Sequence, residues 1–149
     1  MKLSTKGRYA TRALLDLACH REEGPVPLKD IARRQEISLH YLEHIITPLV
    51  AAGLVRSLRG PLGGIQLARP PHEIRLSEII RIVEGSIVPV DCVDNPELCS
   101  RSRLCVTRKI WAEIERVVNV VLESTTLQNL VEREKSKEEA MGLGTMETG

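Results

Sequence analysis

The sequence predicts a mainly α-helical fold with one small β-hairpin and a long helix in its C-terminal half. Apolar residues recur at helical spacing over most of the chain, and a glycine-rich turn at residues 59–64 separates two short strand-like runs. A third observation is the long apolar stripe between about Thr107 and Ser124. The chain has 149 residues and no Phe. It is therefore long enough for one compact domain plus an extension, with a core of Leu, Ile and Val.

Three helices are predicted first, at residues 5–20, 27–35 and 38–53. Ser4 or Thr5 is the candidate N-cap of the first helix. Ser38 is that of the third helix, and Pro48 should bend its last turns. We expect the buried side of the third helix to consist of Leu39, Leu42, Ile45, Ile46, Leu49 and Val50. The short connection between the second and third helices is typical of a helix-turn-helix.

Residues 54–58 and 65–68 are strand candidates, and the turn between them contains Gly60, Gly63 and Gly64. Glycine adopts backbone conformations that other residues resist, so this pattern predicts a hairpin. A hairpin directly after a helix-turn-helix is a wing. We therefore assign residues 1–69 to a winged helix-turn-helix DNA-binding domain.

Residues 70–106 are predicted to be a connection, with a short helix at residues 76–84, an extended stretch at 88–90 and a loop at 91–105. Residues 107–131 are predicted to be a long helix followed by a short apolar turn. The apolar stripe of that helix consists of Ile110, Trp111, Ile114, Val117, Val118, Val121 and Leu122. It has near-heptad spacing, which favours a dimerisation helix over packing within one domain. The charged residues 132–149 are expected to be a disordered tail.

Charge is distributed unevenly along the chain. Residues 1–76 contain 12 Lys/Arg and 7 Asp/Glu, a net +5, whereas residues 77–149 contain 9 and 13, a net −4. A basic N-terminal half suggests a polyanionic partner, although an uneven solvated surface explains the same numbers. No apolar run is long enough to cross a bilayer, and the N-terminus lacks the apolar stretch of a signal peptide. We expect a cytoplasmic protein without membrane contact.

The N-terminal end of the third helix is the segment that a major groove would admit. Its candidate base-reading residues are Ser38, His40, Tyr41, Glu43 and His44. Phosphate repels Glu43 unless a donor such as a cytosine amino group meets it. Arg59 and Gly60 at the wing tip are candidates for groove or phosphate contact. Further phosphate-contact candidates are Lys6, Arg8, Arg33, Arg34 and Arg56.

Several of these segments resemble one known family. The segments 6–10 (KGRYA), 41–43 (YLE) and 53–55 (GLV), followed by Arg59-Gly60 and Gly63-Gly64, are similar to the IscR-type regulators of the Rrf family. The resemblance extends to about residue 131 and implies a homodimer that binds double-stranded promoter DNA at a palindrome. Leu62 and Ile65 depart from the family pattern, which often has a glycine and an aromatic residue there.

Four cysteines are present, at positions 19, 92, 99 and 105. Cys19 lies in an apolar-periodic segment and is expected to be a buried small residue. Cys92, Cys99 and Cys105 lack the paired spacing of zinc ribbons, and soft thiolates suit iron–sulfur clusters, zinc or copper(I).

The resemblance implies that these three cysteines bind a 2Fe–2S cluster, with iron–sulfur cluster donor proteins as possible partners. Arg108 stands where the family tends to have a histidine, and a guanidinium cannot ligate a metal. The fourth ligand is open among Asp91, Asp94, Glu97, Glu43, His40 and His44. Zinc, or thiol chemistry without a metal, remains an alternative.

The function that follows is a regulator, repressor or activator, of iron–sulfur cluster biogenesis genes. The alternatives are a winged-helix regulator that senses redox state, nitric oxide or cysteine status, and an iron–sulfur electron-transfer protein. The latter would leave the wing and the basic half unexplained. The sequence contains no phosphate-binding glycine loop, paired catalytic acids or Ser/His/Asp arrangement, so we expect no enzyme.

Overall fold

The computed structural model describes residues 3–87 and 90–142. The mainly helical fold with one antiparallel hairpin is confirmed. In chain order, the elements of these residues are α1 Thr5–Cys19, α2 Leu28–Gln35, α3 Leu39–Ala51, β1 Val55–Leu58, β2 Gly64–Leu67, α4 Leu76–Glu84, α5 Asp91–Asp94, α6 Val106–Ser124 and α7 Leu127–Ala140.

One aliphatic core joins the N-terminal helices to the later ones. Leu14 of α1, Leu42 of α3 and Ile79 of α4 are fully buried in it, and Leu127 of α7 belongs to the same cluster. Helix α1 packs against α2, α3, α4 and α7. The core therefore spans the boundary at residue 69 that the sequence predicted for the DNA-binding domain, and the boundary itself stays a prediction.

The first turn of α1 is capped from α4. Ser4 is the N-cap residue, but its side chain makes no capping hydrogen bond. Instead, Oε1 of Glu84 accepts from the backbone N–H groups of Ser4 (2.8 Å) and Gly7 (3.0 Å), and from the Ser4 hydroxyl. A Cβ atom at residue 7 would lie 2.6 Å from that oxygen. Gly7 thus lets the carboxylate reach the helix terminus, where it satisfies donors that the helix cannot.

Helix α3 begins as predicted, with the Ser38 hydroxyl accepting from the N–H of Tyr41 at 3.2 Å. It continues through Pro48 to Ala51, and Gly53 follows with φ = 80°. Leu39 was expected to be buried, and this is wrong because its side chain is 43% exposed. It lies in the first turn, which extends beyond the core that covers Leu42 one turn later.

The hairpin pairs Val55 with Leu67 and Leu58 with Gly64. A further pair of hydrogen bonds joins it to the segment before α2, because Val26 and Ile65 exchange N–H···O bonds of 2.8 Å in both directions. Gly64 has φ = 153°, and a Cβ there would lie 2.4 Å from the Val26 carbonyl. Glycine is required at this position by the close approach of the two backbones.

The C-terminal region differs from the sequence prediction. Helix α7 covers Leu127–Ala140, so it replaces both the short apolar turn expected at residues 127–131 and the first part of the expected disordered tail, residues 132–140. Thr126 and Asn129 form a reciprocal capping box that starts it. Residues 143–149 of the predicted tail, and residues 88–89 of the predicted extended stretch, lie outside the described residues. Over residues 3–87 and 90–142, no helix is both long enough and apolar enough to cross a membrane.

Candidate DNA-binding surface and cysteine segment

The outer side of α3 carries the predicted base-reading residues. His40, Glu43 and His44 are exposed, as is Ser38 at the helix start. The Nε2 atoms of His40 and His44 lie 3.2 Å apart, and their rings meet edge to face at 87°. This end of α3 therefore presents both polar donors and acceptors to solvent, which is the chemistry that base edges recognise.

Tyr41 differs from its neighbours because it is partly buried. Its ring packs edge to face on Tyr9 of α1, with the ring centroids 5.9 Å apart. The Arg12 guanidinium lies 5.1 Å from the centre of the Tyr9 ring. Tyr41 thus joins α3 to α1, a role that the sequence interpretation, which gave it an outward contact, did not include.

The wing tip is fully accessible. Arg59 and Gly60 are exposed, Gly60 has φ = 103°, and Leu62 is 90% exposed. Arg56 on β1 is exposed and donates to the carbonyl of Ala68 at 3.3 Å. A guanidinium on a glycine-rich turn can approach a nucleic-acid groove closely, so the predicted wing contacts are sterically available.

Arg34 has another role than the predicted phosphate contact. Its guanidinium donates two hydrogen bonds to the carboxylate of Asp16, at 2.9 and 2.7 Å, and Gln35 donates a third at 3.0 Å. These hydrogen bonds with Asp16 raise the pKa of Arg34 above its usual value. Asp16 is 5% exposed, so the pair fixes α2 on α1. The sequence did not indicate this pairing, since nothing local links residues 18 apart.

Lys6 and Arg8 are exposed on the first turn of α1, and Arg33 is exposed on α2. Arg8 makes one long contact, from Nη2 to the Thr5 hydroxyl at 3.4 Å. These cations remain available to a polyanion, whereas the guanidinium of Arg34 is engaged by Asp16.

The three clustered cysteines lie between α4 and α6. Cys92 is on α5, Cys99 follows a 3₁₀ turn at residues 96–98, and Cys105 is the N-cap residue of α6. Cys99 is exposed, and the other two are partly exposed. The Cys105 sulfur lies 3.1 Å from the Thr107 hydroxyl. That contact first, and the backbone amide of Arg108 second, lower the pKa of the Cys105 thiol.

Arg108 connects the two ends of the cysteine segment. Its Nε donates to the carbonyl oxygen of Cys92 at 2.9 Å, and Nη2 to that of Val93 at 3.5 Å. The side chain that stands in place of the expected histidine therefore holds α5 against the first turn of α6. Sequence reasoning noted the substitution at Arg108 but gave it no partner.

The thiols of this segment are chemically suited to bind a metal ion or an iron–sulfur cluster. In this structure they are not arranged as a metal site. The Ser102 hydroxyl is buried and, among the described atoms, has no hydrogen-bond partner. Within residues 3–87 and 90–142, no three His, Cys, Asp or Glu side chains are arranged to hold a metal ion. Of the possible fourth ligands, Asp94 is hydrogen-bonded to Ser86. The three thiols thus fit a soft-metal group in composition only.

Cys19 was expected to be buried, and this is wrong because the residue is exposed at the end of α1. The cause is its direction, because Cys19 projects beside the face that buries Leu14, Leu17 and Ala18. Desolvation first, and the carboxylates of Glu134 and Glu138 second, raise the pKa of its thiol.

Comparison with known proteins gives one family. A family model described as Rrf2, iron-dependent transcriptional regulator, matches residues 3–133. The HTH-type transcriptional regulator CymR of Bacillus subtilis is 41% identical over 140 residues, covering 94% of this chain and 96% of that protein. The HTH-type transcriptional regulator IscR of Aliivibrio salmonicida is 43% identical over 131 residues, covering 88% of this chain and 77% of that protein.

Solved structures agree with this result. The structure of CymR, described as the global cysteine regulator of B. subtilis, matches with a TM-score of 0.76 at 41% identity over 89% of this chain and 98% of that one. T. potens IscR matches with a TM-score of 0.75 at 43% identity over 94% of this chain and 90% of that one. The predicted winged helix-turn-helix fold is thereby confirmed, while the IscR branch is not singled out from CymR. The chain belongs to the Rrf2 family of DNA-binding transcriptional regulators.

Proposed function

We propose that this protein is a homodimeric regulator whose DNA affinity depends on the state of Cys92, Cys99 and Cys105. The observation that carries the DNA-binding part is the outer side of α3, where His40, Glu43 and His44 are exposed. The exposed Arg59 of the wing adds a cation. Two such surfaces related by a two-fold axis would read a promoter palindrome, with half-sites about one helical turn or a small multiple apart.

The homodimer is proposed from α6. Its side chains Ile110, Val117, Val120 and Val121 are 50–56% exposed, and Trp111 is 37% exposed. Leu122 by contrast is buried against the rest of the chain. An apolar stripe of more than three turns is costly to leave in water, and a second copy of the same helix matches it in length and character.

For the sensor we propose a 2Fe–2S cluster held by Cys92, Cys99 and Cys105, with the fourth ligand open. Such a cluster, when bound, would report iron and sulfur supply through its assembly and loss. Two of the three thiols lie at α5 and at the start of α6, which Arg108 already joins. Drawing these thiols together would move the first turn of the proposed dimerisation helix. The target genes would then be those of iron–sulfur cluster biogenesis.

A second candidate is a thiol sensor of cysteine or redox status, without a cluster. The observation that favours it is the lowered pKa of Cys105, since thiolates are the reactive form of cysteine. The similarity to CymR, described as a global cysteine regulator, supports it equally. Zinc on the same thiols is a variant of this candidate.

Anaerobic purification separates the candidates. We expect coloured protein with about two irons and two sulfides per chain, and loss of the colour in the Cys92→Ala, Cys99→Ala and Cys105→Ala variants. Cys19→Ala is the matched control and should keep the colour. Colourless wild-type protein after anaerobic reconstitution, whose DNA binding responds to thiol oxidation, would establish the second candidate and exclude the first. Stoichiometric zinc in the purified protein would instead establish a zinc-bound sensor and exclude the cluster.

A further inference from the structure

Two histidines lie close together on the outer side of α3, with a spacing that suits chelation. His40 and His44 are four residues apart, so both side chains project from the same face of the helix. Both are exposed, and their Nε2 atoms lie 3.2 Å apart. The other two histidines pair with carboxylates instead, His20 with Asp16 and His72 with Glu73.

The distance between the two nitrogens suits a shared metal ion. With metal–nitrogen bonds of about 2.0–2.1 Å, a separation of 3.2 Å gives a nitrogen–metal–nitrogen angle of about 100°. That value lies between the octahedral and tetrahedral angles.

We infer that His40 and His44 chelate a divalent transition metal of the zinc, nickel or copper class, with water completing its coordination. Imidazole nitrogen is a preferred ligand of these ions. In the metal-free protein one Nε2–H donates to the other Nε2. When the ion binds, the donating imidazole takes the tautomer with its proton on Nδ1, so both Nε2 lone pairs face the metal and no net proton is lost. The site lies on α3 and contains no cysteine. With both nitrogens engaged by this ion, neither histidine serves as the fourth ligand of the proposed cluster.

Metal binding would also change how α3 reads DNA, and this part of the inference rests on the proposed function. The ion takes both Nε2 atoms, which can then no longer contact a base edge, and its bound water keeps α3 away from the groove floor. Its charge at the same time attracts phosphate of any sequence. We therefore expect the metal-bound protein to lose affinity for its specific site while it keeps its affinity for unrelated DNA.

The test is a calorimetric titration of reduced, iron-free full-length protein with Ni²⁺. His40→Gln and His44→Gln should each bind one ion fewer per chain than wild type. His72→Gln removes another exposed histidine and should bind as many ions as wild type, and the cysteines contribute equally in all four proteins. Equal stoichiometry in wild type, His40→Gln and His44→Gln would overturn the site.

DNA binding is measured separately, on a duplex that the protein itself selects from random sequence and on an unrelated duplex. We expect Ni²⁺ to weaken wild-type binding to the selected duplex at least tenfold, reversibly with EDTA. Ni²⁺ should not change the affinity of His44→Gln, which is compared with that variant's own metal-free affinity because His44 is itself a candidate base contact. If the titration shows the lost ion but Ni²⁺ weakens neither complex, the site stands and its effect on DNA reading is refuted. If the protein selects no duplex, the proposed function fails while the calorimetric result still decides the metal site.

Discussion

The carboxylate of Asp16 lies almost out of solvent between α1 and α2, where Arg34 and Gln35 donate to it. Removing one partner of a buried ion pair leaves an uncompensated charge, which typically costs 3–5 kcal/mol. Because Arg34 is partly exposed, we expect Arg34→Ala to lower the free energy of unfolding by about 3 kcal/mol, the low end of that range. Urea denaturation measures this change.

Arg33→Ala is the control for this prediction, because Arg33 is the adjacent exposed arginine. It should change stability by less than about 0.5 kcal/mol. Equal losses in the two variants would show that the contact between Arg34 and Asp16 adds nothing to the free energy of unfolding.

The thiols of Cys105 and Cys19 differ in the direction of their pKa shifts, lowered in the first and raised in the second. A lowered pKa gives more thiolate at a given neutral pH, so Cys105 should be alkylated by iodoacetamide faster than Cys19. Mass spectrometry of cluster-free protein over a pH series should place the rise in rate at lower pH for Cys105.

Two substitutions test the causes of these shifts. Thr107→Ala should move the Cys105 profile to higher pH, and Glu134→Gln should move the Cys19 profile to lower pH. Coincident profiles for the two cysteines in wild-type protein would contradict the assignment.

Single-residue exposure was only partly predictable from the sequence. The exposure of His40, Glu43, His44 and Arg59 agrees with the sequence interpretation, since helical and hairpin periodicity defines an outer side. Leu39 was misplaced because it lies in a first turn that no other described element covers, which periodicity does not reveal. Cys19 was misplaced because it lies beside the buried face that Leu17 and Ala18 belong to.

At the scale of elements, the carboxylate of Glu84 joins the end of α4 to the start of α1. Loss of a capping side chain costs about 1 kcal/mol, so Glu84→Ala should lower the free energy of unfolding by roughly that amount. Glu123→Ala, on the exposed side of α6, is the control and should be neutral. Chemical denaturation of both variants measures the difference, and a neutral Glu84→Ala would show that the cap is dispensable.

The wing is tested at Arg59. Arg59→Ala should weaken DNA binding by at least about 1 kcal/mol and reduce the slope of affinity against salt by about one. Arg59→Lys keeps the charge, so it should retain the salt slope while losing the contacts that need a planar guanidinium. Fluorescence anisotropy over a salt series measures both quantities. Wild-type affinity and slope in Arg59→Ala would mean that the wing tip does not reach the duplex.

Whole elements were predicted better than their ends. The Ser38 cap, Gly53 and the glycines of the wing define α3 and the hairpin to within about a residue. Helix α7 was missed beyond Val131 because its outer turns are charged, and a charged composition resembles that of a disordered tail. The spacing of Thr126 and Asn129, with Glu, Lys and Ala following, was the signal that could have identified it.

Assembly is the prediction at the scale of the whole molecule. Val117→Glu places a charge in the middle of the exposed stripe of α6, so we expect the proposed dimer to dissociate at micromolar concentration. Leu62→Glu alters another exposed apolar residue, at the wing tip, and should leave the dimer intact. Sedimentation velocity distinguishes the species, and a monomeric wild type at that concentration would refute the dimer.

The paired hydrogen bonds between Val26 and Ile65 have a consequence for the DNA sequences that this protein can accept. They tie the hairpin to the chain leading into α2, and both α2 and β1 pack against α3. We therefore expect the wing and α3 to move together. The distance between the recognition helix and Arg59 is then set by the protein, and the duplex has to match it. One inserted base pair rotates the DNA beyond it by about 35° around the duplex axis, since a full turn of DNA takes 10–10.5 base pairs. An insertion between the base pairs read by α3 and the groove beside Arg59 should therefore abolish one of the two contacts, whereas an insertion outside that interval should cost nothing within the half-site.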